Sequence, residues 1–233
     1  TADESLIGNI SATAAAEIVI DEKAKIATAN FNNNNTLIYK SKSKGIMHNK
    51  YCIIDNSIVM TGSFNPTAAA KNDYNDMLII NSTSLAAFYN KNFERLKGSA
   101  GSERQKTAVT TAATAVAKSV NRKASKAAVL NDTATEVYFC PEDGCAEAVK
   151  ERIKKASKTI IFAAYSFTHP EIANELIVKS SEGVNVAGII EKSTTGSKYS
   201  KHTVMAANGI GIRLESSKRL LHHKFFVIDN ETV

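Results

Sequence analysis

An eleven-residue segment occurs twice in this chain. Ile46-Met47-His48-Asn49-Lys50-Tyr51-Cys52-Ile53-Ile54-Asp55-Asn56 returns, 174 residues on, as Leu220-Leu221-His222-His223-Lys224-Phe225-Phe226-Val227-Ile228-Asp229-Asn230. Such a repeat constrains the fold more than composition does, because two copies of one local structure need two copies of the scaffold that holds it. The scaffold repeats as well. Each copy follows an apolar, β-like run ending in an acid (Glu17-Ile18-Val19-Ile20-Asp21; Val186-Ala187-Gly188-Ile189-Ile190-Glu191), a polar stretch, and a second β-like run around Ile38 or Ile212. Two homologous units are expected.

The second unit can be read further upstream. Val137-Tyr138-Phe139 is predicted as a strand, and Cys145, Val149, Ile153 and Ala156 fall at helical spacing. Residues 159–165 form a β-branched and aromatic run suited to a buried strand, and Pro170 opens a second helix carrying Ile172, Leu176 and Ile177. The first unit has no counterpart to that opening strand, helix and strand. It continues past Asp55 into Thr61-Gly62-Ser63-Phe64-Asn65, whereas the second copy stops short of such a segment. The alternation of strand and helix patterns makes the fold class α/β. The boundaries are read as 1–97 for the C-terminal part of the first unit and 136–233 for the N-terminal part of the second. Between them, 98–135 is an Ala/Thr/Lys-rich linker, expected to be partly helical between Ala108 and Leu130.

Composition narrows the classes further. With 43% hydrophobic and 22% charged residues the chain is an ordinary globular one, which excludes collagen-like, disordered and membrane-spanning types. No apolar run approaches the roughly 18 residues that would span a bilayer. A surplus of 29 Lys+Arg over 23 Asp+Glu, formally +6, favours phosphate-bearing or polyanionic partners. The chain opens on Thr1, so its first residues say nothing about targeting, and the compartment stays open among soluble, secreted and periplasmic settings. Cys140 and Cys145 read either as a small disulfide loop or, in preference, as two thiols beside a helix start, and His169 and His202 as exposed bystanders.

Each copy carries the pattern His-x-Lys-x4-Asp. Residues i and i+2 of a strand share a face, so His48 and Lys50 project together, as do His222 and Lys224, while His223 alternates away and is read as structural. Asp55 and Asp229, at the strand ends, are read as carboxylates that accept a hydrogen bond from an imidazole and fix its tautomer. Imidazoles with pKa near ~6.5 can divide the roles of nucleophile and proton donor at neutral pH. Two lysines supply fixed positive charge for a phosphoryl group, so neither a metal ion nor another cofactor is called for.

With Gly62, Ser63 and Asn65 following at fixed spacing, this resembles the phospholipase D superfamily, whose HxKx4Dx6GSxN signature is matched by His48, Lys50, Asp55, Gly62, Ser63 and Asn65. The second signature is matched by His222, Lys224 and Asp229. The segments 137–141 and 165–168 also resemble this family's opening strands. The resemblance implies mixed β-sheets flanked by helices, in two units about a pseudo-twofold axis, and phosphodiester hydrolysis through a phosphohistidine. One of His48 and His222 would be the nucleophile and the other the acid. Lys50 and Lys224 would bind phosphate, Asp55 and Asp229 would orient the histidines, and Ser63 and Asn65 would support the phosphate site. Asp76, after Asn75, falls where the family commonly carries an acid, and reads equally as a turn carboxylate.

The compact look favours the nuclease-type members, hence a nucleic-acid substrate. The alternatives are cleavage of phosphatidyl lipids such as phosphatidylcholine or cardiolipin, and an inactive or binding remnant, since the second copy lacks Gly-Ser-x-Asn. Residues 136–233 followed by the segment after Val59 would make one whole unit. That leads to the expectation of a fragment of a longer tandem protein, or of a homodimer whose copies exchange segments.

Overall fold

Two strand pairs laid down by the repeated apolar runs organise the chain. The computed structural model describes residues 15–24, 36–42, 45–101, 127–130 and 133–233. It divides into two units, one of Thr1–Met60, Pro66–Ala68 and Leu78–Val137, the other of Thr61–Asn65, Ala69–Met77 and Tyr138–Val233. The Gly-Ser-x-Asn segment, contiguous in sequence with the first motif, thus packs in the unit that holds the second.

In the first unit β1 (Ala16–Asp21) and β2 (Thr36–Ser41) are parallel, with Ile18 opposite Ile38 and Asp21 opposite Ser41. The two-residue strand β6 (Ala100–Gly101) pairs antiparallel with β2. The motif strand β3 (Tyr51–Ile54) turns into β4 (Ile58–Gly62), and β5 (Met77–Asn81) completes a sheet in the order β3-β4-β5. Helix α1 (Thr83–Ser99) starts where the Ser82 hydroxyl accepts the Leu85 N–H at 3.2 Å, relieving one of the unpaired first-turn donors. Its buried positions, Leu85, Ala86, Tyr89 and Asn92, lie along one stripe. Tyr89 meets Tyr51 edge-on at 4.9 Å, and Asn92 donates to the Tyr51 hydroxyl at 2.9 Å. Burial pushes that phenol up to about 12. Strands β7 (Ala127–Leu130) and β8 (Thr133–Glu136) form an antiparallel pair.

In the second unit α2 (Cys145–Lys154) precedes β9 (Thr159–Ala164), α3 (Pro170–Ser181) precedes β10 (Asn185–Glu191), and α4 (His202–Ala207) precedes β11 (Gly211–Glu215). Strand β12 (Lys224–Ile228) carries the second motif. The sheet order is β11-β10-β9-β12, parallel except for β12, which runs against β9. Alternation along the strands sends Ile160, Phe162, Val186, Ile190 and Ile228 into one core with Ile153, Leu176 and Met205 of the helices. Each such side chain contributes on the order of 1.5–3 kcal/mol by leaving water. Phe162 lies opposite Gly188 on β10, and its ring occupies the space where a Cβ would stand. The opposite sheet face leaves Ile161 50% and Ile189 41% exposed. No helix among the described residues is long and apolar enough to cross a membrane.

Several expectations need correction. The strand predicted at 137–139 falls instead at Thr133–Glu136. Phe139 is held in a turn by its N–H on the Asp143 carboxylate, and its carbonyl accepts the Asp143 N–H. Cys140 and Cys145 are joined as a disulfide, with Cα atoms 6.0 Å apart, a span suited to the bond. Residues 127–130, the end of the segment expected to be helical, are strand, and 102–126 lie outside the described residues. His169 is no bystander, because its Nδ1 accepts the Ile172 N–H at the start of α3. His202 is half-buried at the start of α4.

Candidate active site

The two motifs fold alike, each within its own unit. Lys50 Nζ donates to the His48 carbonyl at 2.9 Å, and Lys224 Nζ donates to the His222 carbonyl at 2.7 Å. After each motif strand the chain reverses at a pair of positive-φ residues, Asp55 (50°) with Asn56 (53°) and Asp229 (52°) with Asn230 (59°). The turns are closed by Ser57 N–H on the Ile54 carbonyl and Glu231 N–H on the Ile228 carbonyl, both at 3.0 Å. Asp and Asn tolerate this left-handed backbone better than most residues, which accounts for the repeated Asp-Asn.

The turn also corrects the reading of Asp229. Its carboxylate accepts the N–H groups of Ser157, Lys158 and Thr159 and the Ser157 hydroxyl, all within 2.9 Å, so it fastens β12 to the start of β9. Those backbone donors hold its pKa far below the usual carboxylate range. Five strand residues at about 3.3 Å each separate it from the histidine end of β12, beyond the reach of any side chain. Asp55 occupies the equivalent turn on β3.

His222 finds its partners elsewhere. It is buried, and its Nδ1 lies 3.1 Å from both the Ser63 carbonyl oxygen and the Asn75 amide oxygen. Asn75 Nδ2 donates to the carbonyls of Ala70 and Asp73, which fixes the amide with its oxygen toward the imidazole. Two acceptors facing Nδ1 require the proton there, which puts the lone pair on Nε2. The Tyr165 ring stands 5.3 Å from the imidazole, and Lys224 Nζ lies 5.4 Å from the same ring's centroid. Burial lowers the Lys224 pKa, and the charge of Asp76 partly offsets this.

Residues 73–76 lie against 220–222 and bring these groups together. Tyr74 N–H donates to the Leu220 carbonyl at 2.8 Å, and His222 N–H to the Tyr74 carbonyl at 2.9 Å. Ser63 ties the same segment to its own strand. Its hydroxyl donates to Asp76 Oδ1 at 2.8 Å and accepts the Asp76 N–H at 3.0 Å. Gly62, at φ 143°, permits this approach, since a Cβ there would collide with the Asp76 carbonyl. Asn65 lies half-buried on the same segment.

Regular strand begins only at Lys224, so the alternation assumed for His223 does not extend to it, and a contact with Asp76 is what holds its ring. Its Nδ1 meets Asp76 Oδ1 at 2.9 Å. Burial pushes the Asp76 carboxyl up, but hydrogen bonds from His223 and from the hydroxyl and N–H of Ser63 outweigh it and hold the pKa below the ordinary value. Asn75 was missed from sequence, although its neighbour Asp76 was singled out. Ser63, Asn65, His222 and Lys224 share the second unit, while His48, which is exposed, lies with Lys50 and Asp55 in the first.

Comparison with known proteins places the chain in a family. The family model described as cardiolipin synthase, PLD-like domain, matches residues 7–97 and 149–233. A phospholipase D of Rickettsia prowazekii is 27% identical over 95 residues, covering 41% of this chain and 46% of the relative. A mitochondrial cardiolipin hydrolase of Xenopus laevis is 39% identical over 56 residues, 24% of this chain and 27% of the relative. The crystal structure of Nuc, a phospholipase D family member from Salmonella typhimurium, is 30% identical with a TM-score of 0.37, over 39% of this chain and 61% of that one. The chain therefore spans about half the length, or less, of the curated relatives it matches. With the family model matched across both copies of the repeat, the chain belongs to the PLD-like domain family.

Proposed function

We propose that this chain is a phosphodiesterase that works through a phosphohistidine and acts on nucleic acid. The observation that carries the chemistry is the pair of acceptors on His222 Nδ1, which fixes the tautomer whose Nε2 can attack or relay a proton. In the first step Nε2 of one motif histidine bonds to phosphorus as the ester P–O bond breaks, and the other histidine gives its proton to the departing oxygen. In the second, that histidine takes a proton from water, whose oxygen displaces the imidazole. Lys50 and Lys224 meet the charge on the non-bridging oxygens, and Ser63 and Asn65 support the phosphate site through the segment that holds His222.

The polyanionic substrate is supported by the loops after β10 and β11, at the C-terminal ends of the parallel strands, next to the start of β12. From Lys192 to Lys224 the chain carries seven Lys and Arg against the single acid Glu215, whose carboxylate accepts the Ser217 N–H. In the first of these loops Tyr199 is 61% exposed, with Lys198 Nζ 5.0 Å from its ring centroid, a pairing suited to a stacked base beside a phosphate. A lipid substrate is the second reading, favoured by the names of the phospholipase D and cardiolipin hydrolase relatives.

The test is cleavage of bis(p-nitrophenyl) phosphate in EDTA by the wild type, His48→Ala and His222→Ala. Loss of cleavage in both variants is expected, and retention in both would overturn the assignment. Single-stranded DNA and phosphatidylcholine vesicles assayed side by side decide the substrate, and cleavage of the lipid alone would replace the first reading with the second.

A further inference from the structure

Each unit contains a second repeated contact, outside the motif itself. The acid that ends the strand before each motif reaches the backbone N–H just ahead of the histidine. Asp21 Oδ2 accepts the Met47 N–H at 2.7 Å in the first unit, and Glu191 Oε2 accepts the Leu221 N–H at 2.9 Å in the second. Met47 and Leu221 are equivalent positions of the repeat. The other oxygen of each carboxylate caps its own turn, Asp21 Oδ1 on the Lys23 N–H at 2.9 Å and Glu191 Oε1 on the Ser193 N–H at 3.0 Å. Both carboxylates are thus bound bidentately to backbone, in the same pattern, although one side chain is a methylene longer than the other.

We propose that Asp21 and Glu191 are positioning residues, carboxylate clamps that fix the backbone before each motif histidine and thereby aim its imidazole. This rests on the assignment of His48 and His222 to the reaction. The histidines lie outside the regular strands; the backbone at His222 is held on one side by its N–H on the Tyr74 carbonyl, and a charge-assisted bond one residue upstream adds a second constraint. Glu191 is itself buried; that burial opposes ionisation, and the Leu221 and Ser193 N–H groups outweigh it and hold the carboxyl below its usual pKa. A carboxylate at the same place in both copies, half-buried in Asp21 and buried in Glu191, with one oxygen on the turn and the other on the residue before the histidine, matches this role. Carboxylates and carbonyls that orient metal-binding imidazoles are worth about 10- to 100-fold in activity, and the same order is expected of these clamps.

The test uses the full chain. Glu191→Ala is expected to lower kcat on bis(p-nitrophenyl) phosphate by about 10- to 100-fold with KM within about 2-fold, and Glu191→Gln, which keeps an acceptor oxygen, to recover most of that loss. Asp21→Ala and Asp21→Asn should behave alike. The Leu221 amide proton resonance should move upfield in Glu191→Ala and take an intermediate place in Glu191→Gln. An unchanged kcat in both Ala variants, an unmoved Leu221 amide, or a Gln variant no better than Ala would overturn the clamp. If Glu191→Ala does not fold, Glu191→Gln carries both readouts. If the wild type cleaves no phosphodiester, the functional assignment fails, and the Leu221 resonance still decides whether the clamp exists.

Discussion

Replacing Asn75 by Asp tests the environment of His222 directly. The Asn75 oxygen lies 3.1 Å from His222 Nδ1, and aspartate would put a negative charge in the same place. Two unit charges about 4 Å apart at an effective dielectric constant near 20 attract by roughly 4 kcal/mol, equivalent to about 3 pKa units. Desolvation of the new carboxylate and the charge already present on Asp76 reduce this, leaving an expected rise of about 1–2 units in the His222 pKa. The sign follows from stabilisation of the imidazolium. With His222 as nucleophile the neutral ring then appears only at higher pH and the acidic limb of kcat/KM moves up; with His222 as the proton donor the basic limb moves up instead. The substitution also removes the donor to the Ala70 and Asp73 carbonyls and sets carboxylate oxygen against them, at a cost of about 1–3 kcal/mol in stability. Side-chain nitrogen resonances of His222, followed from about pH 4 to pH 9 beside kcat/KM for bis(p-nitrophenyl) phosphate, measure both effects. A His222 pKa that stays put or falls in the folded variant would refute the arrangement described for Nδ1.

Three further outcomes are expected. Asp229→Ala should lower Tm at neutral pH, because the carboxylate fastens β12 to β9. Its folded pKa is depressed, so this stabilisation is complete above the unfolded value of about 3.9 and is lost as pH falls through the folded value; the Tm gap should narrow in acid, and a gap independent of pH would contradict the role. Gly188→Ala should cost about 1–3 kcal/mol in urea titration by displacing the Phe162 ring, and an unchanged midpoint would show that ring to be placed otherwise. Ser41→Ala should stabilise by about 1 kcal/mol, since its buried hydroxyl finds no hydrogen-bond partner among the described residues; a loss of stability would mean that it has one.

The scaffold was legible because it repeats. The apolar runs that end in Asp21 and Glu191 became equivalent strands, each paired in parallel with the second run of its unit, and Pro170 opened a helix as its fixed φ allows. The roles of individual polar groups were harder to read. The spacing from His222 to Asp229 looks like a hydrogen-bonded pair in sequence, but an extended strand carries the two ends apart, and Asp229 serves a turn. His223 was assigned by alternation that starts only one residue later, at Lys224. Asn75 reaches His222 through a contact 147 residues apart in the chain, which no local pattern encodes. The same holds for residues 61–77, of which 61–65 and 69–77 pack with the second motif rather than the one they follow. The clamp acids were visible as strand ends, but their partners, backbone N–H groups about 26 to 30 residues on, carry no side-chain signature.

A motif histidine that carries the phosphoryl group during turnover, as proposed, can be trapped as a covalent intermediate. The chain would be mixed with a radiolabelled phosphodiester, quenched in base, where phosphohistidine survives, and mapped by mass spectrometry. Label is expected on the peptide holding His48 or the one holding His222, lost when that histidine is replaced by Ala. Turnover without any labelled histidine, or label on another residue, would contradict the proposal.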